Sequence, residues 1–167
     1  MTLAPLILIV EDFLDAREMY TACLEFAGFR VASASDAIRG LRLAEELKPD
    51  LVLMDAGLPG MSGWDAIETL KSTPSTGGIP VLMLTGHVLL DSRERAIAVG
   101  ADGFLPKPCL PDELIREIRI VLQRPEESGP KKPPAAAREA TEDAMKASEA
   151  RMHKGRLKPS RRNRSTS

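Results

Sequence analysis

Leu6-Ile-Leu-Ile-Val10-Glu11-Asp12 is the stretch on which the fold turns. Its first five residues are apolar and rich in β-branched side chains, a run too short for an ordinary helix. Apolar on both sides of a pleat, it reads as a strand covered on both faces. The chain after it keeps alternating. A helical stripe of Ala16, Met19, Cys23 and Phe26 is expected to end at Gly28. Phe29 to Ser33 is a weaker strand of edge type, and Ala37, Leu41 and Ala44 mark a second helix stopped before Pro49. Leu51 to Met54 is another buried strand, followed by a helix carrying Gly63, Ile67 and Leu70. Pro80 to Leu84, a helix over about 89–99 stopped by Gly100, and Ala101 to Leu105 continue the pattern. Pro111 opens a last helix, where a missing N–H costs nothing, with Asp112 and Glu113 in its first turn and a stripe of Leu114, Ile118 and Val121.

Five β-α units in succession imply an α/β fold, a parallel sheet covered by helices on both faces and wound by right-handed crossovers. Periodicity alone leaves the strand order open. In such sheets the strands' carboxyl ends share one edge, where ligands bind.

What stands at that edge is chemically uniform. Glu11 and Asp12 end the first strand, Asp55 the third, Thr85 the fourth, and Phe104-Leu-Pro-Lys107 the fifth. Three converging carboxylates repel one another and raise one another's pKa unless a cation is present. A hard divalent ion resolves this, and Mg²⁺, which takes one or two carboxylates plus waters and phosphate, fits the donor set. Phosphoryl transfer needs an in-line nucleophile and neutralised equatorial oxygens rather than elaborate covalent help. Asp55 supplies the nucleophile, Asp12 a metal ligand, and Glu11 a second one, direct or through water. Lys107 and the Thr85 hydroxyl supply contacts for phosphoryl oxygens. A new dianion that draws in Thr85 gives a route to a conformational switch.

Four segments then carry a resemblance: Leu8-Ile-Val-Glu-Asp12, Leu53-Met-Asp-Ala-Gly-Leu-Pro-Gly-Met-Ser-Gly63, Leu82-Met-Leu-Thr-Gly86 and Gly100-Ala-Asp-Gly-Phe-Leu-Pro-Lys-Pro108. In their order and spacing they resemble the signatures of bacterial two-component response-regulator receivers of chemotaxis-regulator type. The resemblance implies a doubly wound, flavodoxin-like sheet of order 2-1-3-4-5. It also implies Asp55 as phosphoacceptor, and Mg²⁺ held by Glu11, Asp12, Asp55 and the Gly57 carbonyl. Thr85 becomes the switch hydroxyl, Lys107 the phosphoryl-binding lysine and Phe104 an aromatic that changes rotamer; a cis Lys107–Pro108 bond is implied as well. Gly86 and Cys109 depart from the family's more usual alanine and bulky apolar residue, which bears on output partners rather than on phosphorylation.

Blander readings stand beside these. Asp55 can be a strand-terminal turn residue, Glu11-Asp12 and Thr85 helix caps, Lys107 a solvated lysine, and Phe104 plain core. Asp15 and Asp50 read as capping or turn residues, Trp64 and Tyr20 as packing. Met61 and Pro59 read as shaping the loop after Asp55. His87 has no catalytic duty of its own, though its place invites modulation of dephosphorylation.

Composition narrows the class. The chain has 167 residues, 43% of them hydrophobic and only 4% aromatic, so an aliphatic core is expected. No apolar run is long enough for a membrane span, no secretory leader pattern opens the chain, and Cys23 and Cys109 lack metal-ligand spacing. A cytoplasmic protein with reduced thiols and no membrane contact is expected. Residues 1–123 hold 11 Lys and Arg against 18 Asp and Glu, whereas 124–167 hold 12 against 6. The expectation is a receiver domain over 1–123 and a Pro/Ala-rich linker with a basic, disordered tail over 124–167. The tail is either a solvated extension or an electrostatic contact for nucleic acid, an anionic membrane, an acidic partner or the chain's own acidic domain.

Three functional classes compete. A signalling module takes its phosphoryl group from a sensor histidine kinase or histidine phosphotransfer protein. It catalyses only its own phosphorylation and dephosphorylation, and binds an output protein whose identity the sequence does not give. An aspartate-nucleophile phosphohydrolase needs a second aspartate two residues after the nucleophile, where this chain has Gly57. A nucleic-acid-binding regulator would have to use the tail. The signalling module is favoured, without a DNA-binding output domain, and a weak homodimer through the last helix is open to the family.

Overall fold

A computed structural model, which describes residues 3–86 and 90–124, resolves the alternation into ten elements. These are β1 (Leu6–Val10), α1 (Leu14–Phe26), β2 (Arg30–Ala34), α2 (Ala37–Leu47), β3 (Leu51–Asp55), α3 (Gly63–Ser72), β4 (Val81–Thr85), α4 (Leu90–Ala98), β5 (Gly103–Pro106) and α5 (Pro111–Leu122). The strands form one parallel sheet of order β2-β1-β3-β4-β5, the flavodoxin-like order that the resemblance implied. β1 and β3 are neighbours at the switch point, so Glu11, just past β1, and Asp55, the last residue of β3, stand at the ends of adjacent strands.

The period-2 alternation divides the core into two layers. Ile7, Ile9, Leu51, Leu53, Leu82 and Leu84 face α1 and α5, packing on Tyr20, Leu24, Leu114, Ile118 and Val121. Leu8, Val10, Val52, Met54, Val81 and Met83 face the other way, onto Ile67 and the small Ala37, Ala44, Ala66 and Ala96. Each fully buried aliphatic side chain contributes about 1.5–3 kcal/mol. β1, β3 and β4 are buried nearly throughout, whereas β2 is half exposed, as its edge position dictates.

Two local expectations shift. The buried side of α1 is Tyr20 and Leu24, with Ala16 and Ala27 packed beside them. Met19 and Phe26 point outward, and Phe26 is 96% exposed. Two apolar stripes one residue apart compete in this helix, and the one carrying Tyr20 and Leu24 is packed on the layer with Ile7 and Ile9. β2, β4 and β5 each begin later than their apolar runs suggested, because pairing rather than hydropathy sets the ends. Tyr20 does pack as expected, and so does Trp64, against the layer that carries Met54.

Gly63 shows why α3 can start where it does. A β-carbon there would lie 1.9 Å from the Asp55 carbonyl oxygen, so the helix sits against β3 only because residue 63 has no side chain. Gly63 also donates its N–H to the Ala56 carbonyl at 3.2 Å. Ser62 caps the helix, accepting from the Asp65 N–H and donating to its carboxylate. The expected linker and basic tail lie, from residue 125 onward, outside the described residues, as does His87.

Candidate functional site

Of the groups singled out at the strand ends, Glu11, Asp12, Asp55 and Lys107 are brought together. Glu11 leaves β1 with its N–H bonded to the Ala34 carbonyl of β2 at 3.1 Å, which turns its side chain inward; the residue is 2% exposed. Asp55, the last residue of β3, is 6% exposed and accepts from the Gly57 N–H at 3.3 Å. Thr85 ends β4, buried, and its carbonyl accepts from the Lys107 N–H at 2.7 Å, which fixes the backbone after β5 against β4. The Lys107–Pro108 peptide is cis, as the resemblance implied.

The side chains then converge. Carboxylate oxygens of Glu11, Asp12 and Asp55 lie within 4.8 Å of one another. Lys107 Nζ stands 2.5 Å from Glu11 Oε2 and 3.2 Å from Asp55 Oδ1. Glu11 also accepts from the Phe13 N–H at 3.2 Å. Asp12 is exposed at the mouth. One ammonium therefore faces three carboxylates.

Burial and the Asp55 charge push the Glu11 carboxyl above its ordinary value, against the pull of the Lys107 hydrogen bond and charge. For Lys107, burial acts to lower the pKa. The Glu11 hydrogen bond and the Asp55 and Glu11 charges outweigh it and hold the ammonium above its ordinary value. This imbalance tests the site for a metal. Three hard oxygen donors clustered with a net negative charge suit Mg²⁺ rather than a softer ion, and the site is of Mg²⁺ type.

Phe104 is half-buried on the layer shared with α3 and α4, the packing half of its two readings. Asp50 is a turn residue that accepts from the Leu6 N–H at 2.6 Å. Two residues passed unremarked in the sequence. Arg17 Nη1 donates to the Glu11 and Asp12 carbonyls at 2.7 and 3.3 Å. Arg95 stacks its guanidinium 4.7 Å above the Trp64 ring, tying α4 to α3. Helix-surface arginines look alike in a sequence, and only the three-dimensional neighbours distinguish these two.

Comparison with known proteins agrees with this geometry. Residues 7–119 match the response regulator receiver domain family. The phosphate regulon transcriptional regulatory protein PhoB of Pseudomonas aeruginosa is 38% identical over 118 residues, 71% of this chain and 52% of that protein. The DNA-binding response regulator MtrA of Mycobacterium bovis is 37% identical over 123 residues, 74% of this chain and 53% of that protein. The chain thus spans about half the length of these curated relatives. Among solved structures, chemotaxis protein CheY4 of Vibrio cholerae superposes with a TM-score of 0.68 at 29% identity, covering 71% of this chain and 98% of that one. The receiver domain of a sensor histidine kinase from Pseudomonas aeruginosa, solved with magnesium coordinated in its active site cleft, gives 0.68 at 30% identity, covering 72% and 99%.

These relatives correct one expectation. The absence of a DNA-binding output domain was inferred from composition, yet matched proteins are named DNA-binding or transcriptional regulators. The match covers about half of their length. A receiver's own sequence is shaped by phosphotransfer and core packing, and carries no signal about which output it is joined to.

Proposed function

This chain belongs to the response regulator receiver domain family, and from that premise we propose that Asp55 is the residue it phosphorylates. Receivers are the phosphoacceptor switches of two-component signalling, and this is a signalling protein of that kind. The observation that carries the assignment is Asp55 itself: buried at the end of β3, within 4.8 Å of two further carboxylates and 3.2 Å from an ammonium.

In this reading Glu11, Asp12, Asp55 and the Gly57 carbonyl hold Mg²⁺. The ion, when bound, neutralises charge on the phosphoryl oxygens. An Asp55 carboxylate oxygen attacks the phosphorus of a phosphohistidine on a sensor kinase or phosphotransfer protein, and the P–N bond breaks as the P–O bond forms. Lys107 exchanges its contact with Asp55 for a phosphoryl oxygen, and the Thr85 hydroxyl takes another. Phe104, opposite Met83 on the strand next to the one Thr85 ends, follows that movement to alter the surface that partners read. The protein's own catalysis is confined to gaining and losing the phosphoryl group. The receiver occupies residues 1–123, and the cytoplasm is the compartment that suits its partners. Among the described residues no helix is long and apolar enough to cross a membrane.

The test is intact mass after incubation with Mg²⁺ and a small acyl-phosphate donor. One added phosphoryl group is expected in the wild type, and none in Asp55→Asn or in chelator. A folded wild type that takes up no phosphoryl group under these conditions overturns the reading.

A further inference from the structure

We propose that Arg17 is a positioning residue for the metal site, acting through the backbone to aim Asp12. The proposal rests on the receiver reading above and concerns a residue that has no place in it.

Glu11 and Asp12 are consecutive, and in an extended chain consecutive side chains point to opposite faces. For both carboxylates to approach Asp55, the backbone must turn at these two residues, and something must hold the turn. Glu11 is well held. Its N–H bonds to Ala34, and its carboxylate receives the Phe13 N–H and Lys107. Asp55 is likewise fixed by Gly57 and Lys107. Asp12 differs: it is exposed, and among the described residues none donates a hydrogen bond to its carboxylate. Its direction comes from its backbone alone.

That backbone is gripped by Arg17. From the first turns of α1, Nη1 donates to the Glu11 carbonyl at 2.7 Å and, more weakly, to the Asp12 carbonyl at 3.3 Å. The two peptide planes that flank the Asp12 side chain are thereby referred to one helix, whose own first bond, Arg17 N–H to the Phe13 carbonyl at 3.0 Å, anchors the donor. Phe13, which precedes α1, offers no side-chain cap that could do this work. A charged donor to a carbonyl is stronger than a neutral one, and partners of this outer kind typically alter metal affinity by about 10–100-fold when removed.

The experiment is calorimetric titration of the full chain with MgCl₂, without any phosphodonor, for wild type, Arg17→Met and Arg17→Lys. Methionine keeps an apolar stem and removes the donor; lysine keeps a donor of less favourable shape. Arg17→Met is expected to raise the Mg²⁺ dissociation constant about tenfold, with Arg17→Lys in between. Phosphorylation by an acyl phosphate should show a raised half-saturating Mg²⁺ concentration and an unchanged rate at saturating Mg²⁺. An unchanged dissociation constant overturns the proposal, and so does a lower saturating rate at unchanged affinity. Should Arg17→Met not fold, Arg17→Lys decides alone: a dissociation constant raised about threefold supports the role, and equality with wild type removes it. Wild type that binds no Mg²⁺ overturns the receiver reading as well, an outcome visible before any variant is compared.

Discussion

Lys71 and Lys107 stand at opposite ends of β5, and each meets carboxylate. Lys71 Nζ reaches Asp102 Oδ2 at 2.8 Å, just ahead of the strand, and also donates to the Ile79 carbonyl at 2.8 Å. The same Asp102 oxygen accepts from the Val81 N–H at 2.9 Å. One cation meets one anion there, and both ends are shared with the backbone of the loop before β4 and of β4 itself. Lys107, past the other end of the strand, meets Glu11 and Asp55, with Asp12 near by. The first pair is closed, neutral and structural. The second sets one ammonium against three carboxylates, and burial together with the Asp55 charge holds the Glu11 carboxyl above its ordinary value. Identical residue types thus serve as a rivet at one edge and as an open site at the other, and charge balance rather than residue identity separates them.

That contrast can be broken experimentally, and the largest effect comes from the nucleophile. Asp55→Asn should abolish phosphoryl uptake, whereas Asp102→Asn should retain it; intact mass after acyl-phosphate treatment distinguishes them. Next in size is the rivet. Asp102→Ala leaves Lys71 and the Val81 N–H without their shared acceptor and should destabilise the fold by about 2 kcal/mol, measured by urea unfolding. Partial exposure of the pair keeps the figure below that of a fully buried one.

Lys107→Met sharpens the comparison. In chelator it removes a cation from among three carboxylates and should lower Tm by about 4 °C, corresponding to about 1 kcal/mol. Mg²⁺ should restore most of that loss, giving a larger Mg²⁺-induced rise than in wild type. Lys71→Met should show no such rescue.

The smallest effect is in pH. Because Glu11 titrates above its ordinary 4.5 in the folded protein, it favours the fold below that pH. The advantage is lost as pH rises through the raised folded value. Mg²⁺ takes the proton's place, so its stabilising effect should be small at pH 4.5 and larger at pH 7.5. Thermal unfolding at the two pH values with and without Mg²⁺ measures it; an equal Mg²⁺ effect at both would count against Glu11 as a ligand.

The same contrast explains what was legible in the sequence. Buried strands announce their own ends, so a carboxylate, hydroxyl or lysine just past an apolar run could be assigned to one edge, and Glu11, Asp12, Asp55, Thr85 and Lys107 were. The winding order needed the resemblance, since nothing in period-2 patterning says which strands are neighbours. The Lys71–Asp102 rivet spans 31 positions and joins two residues that look like ordinary surface charges. Arg17 was invisible for a like reason. In α1 the stripe of Met19 and Phe26 and that of Tyr20 and Leu24 are both apolar, hydropathy does not rank two overlapping stripes, and the fold buries the second. The lesson is that sequence shows where chemistry is collected and hides what holds it in place.

The missing side chain at residue 63 has a consequence for mutational tolerance. Because a β-carbon there would collide with main chain rather than with a movable side chain, no rearrangement of neighbours makes room. A saturation library screened for phosphorylation should therefore return glycine alone at 63, even though the position touches no reactant, and anyone redesigning the loop after Asp55 inherits that residue as fixed.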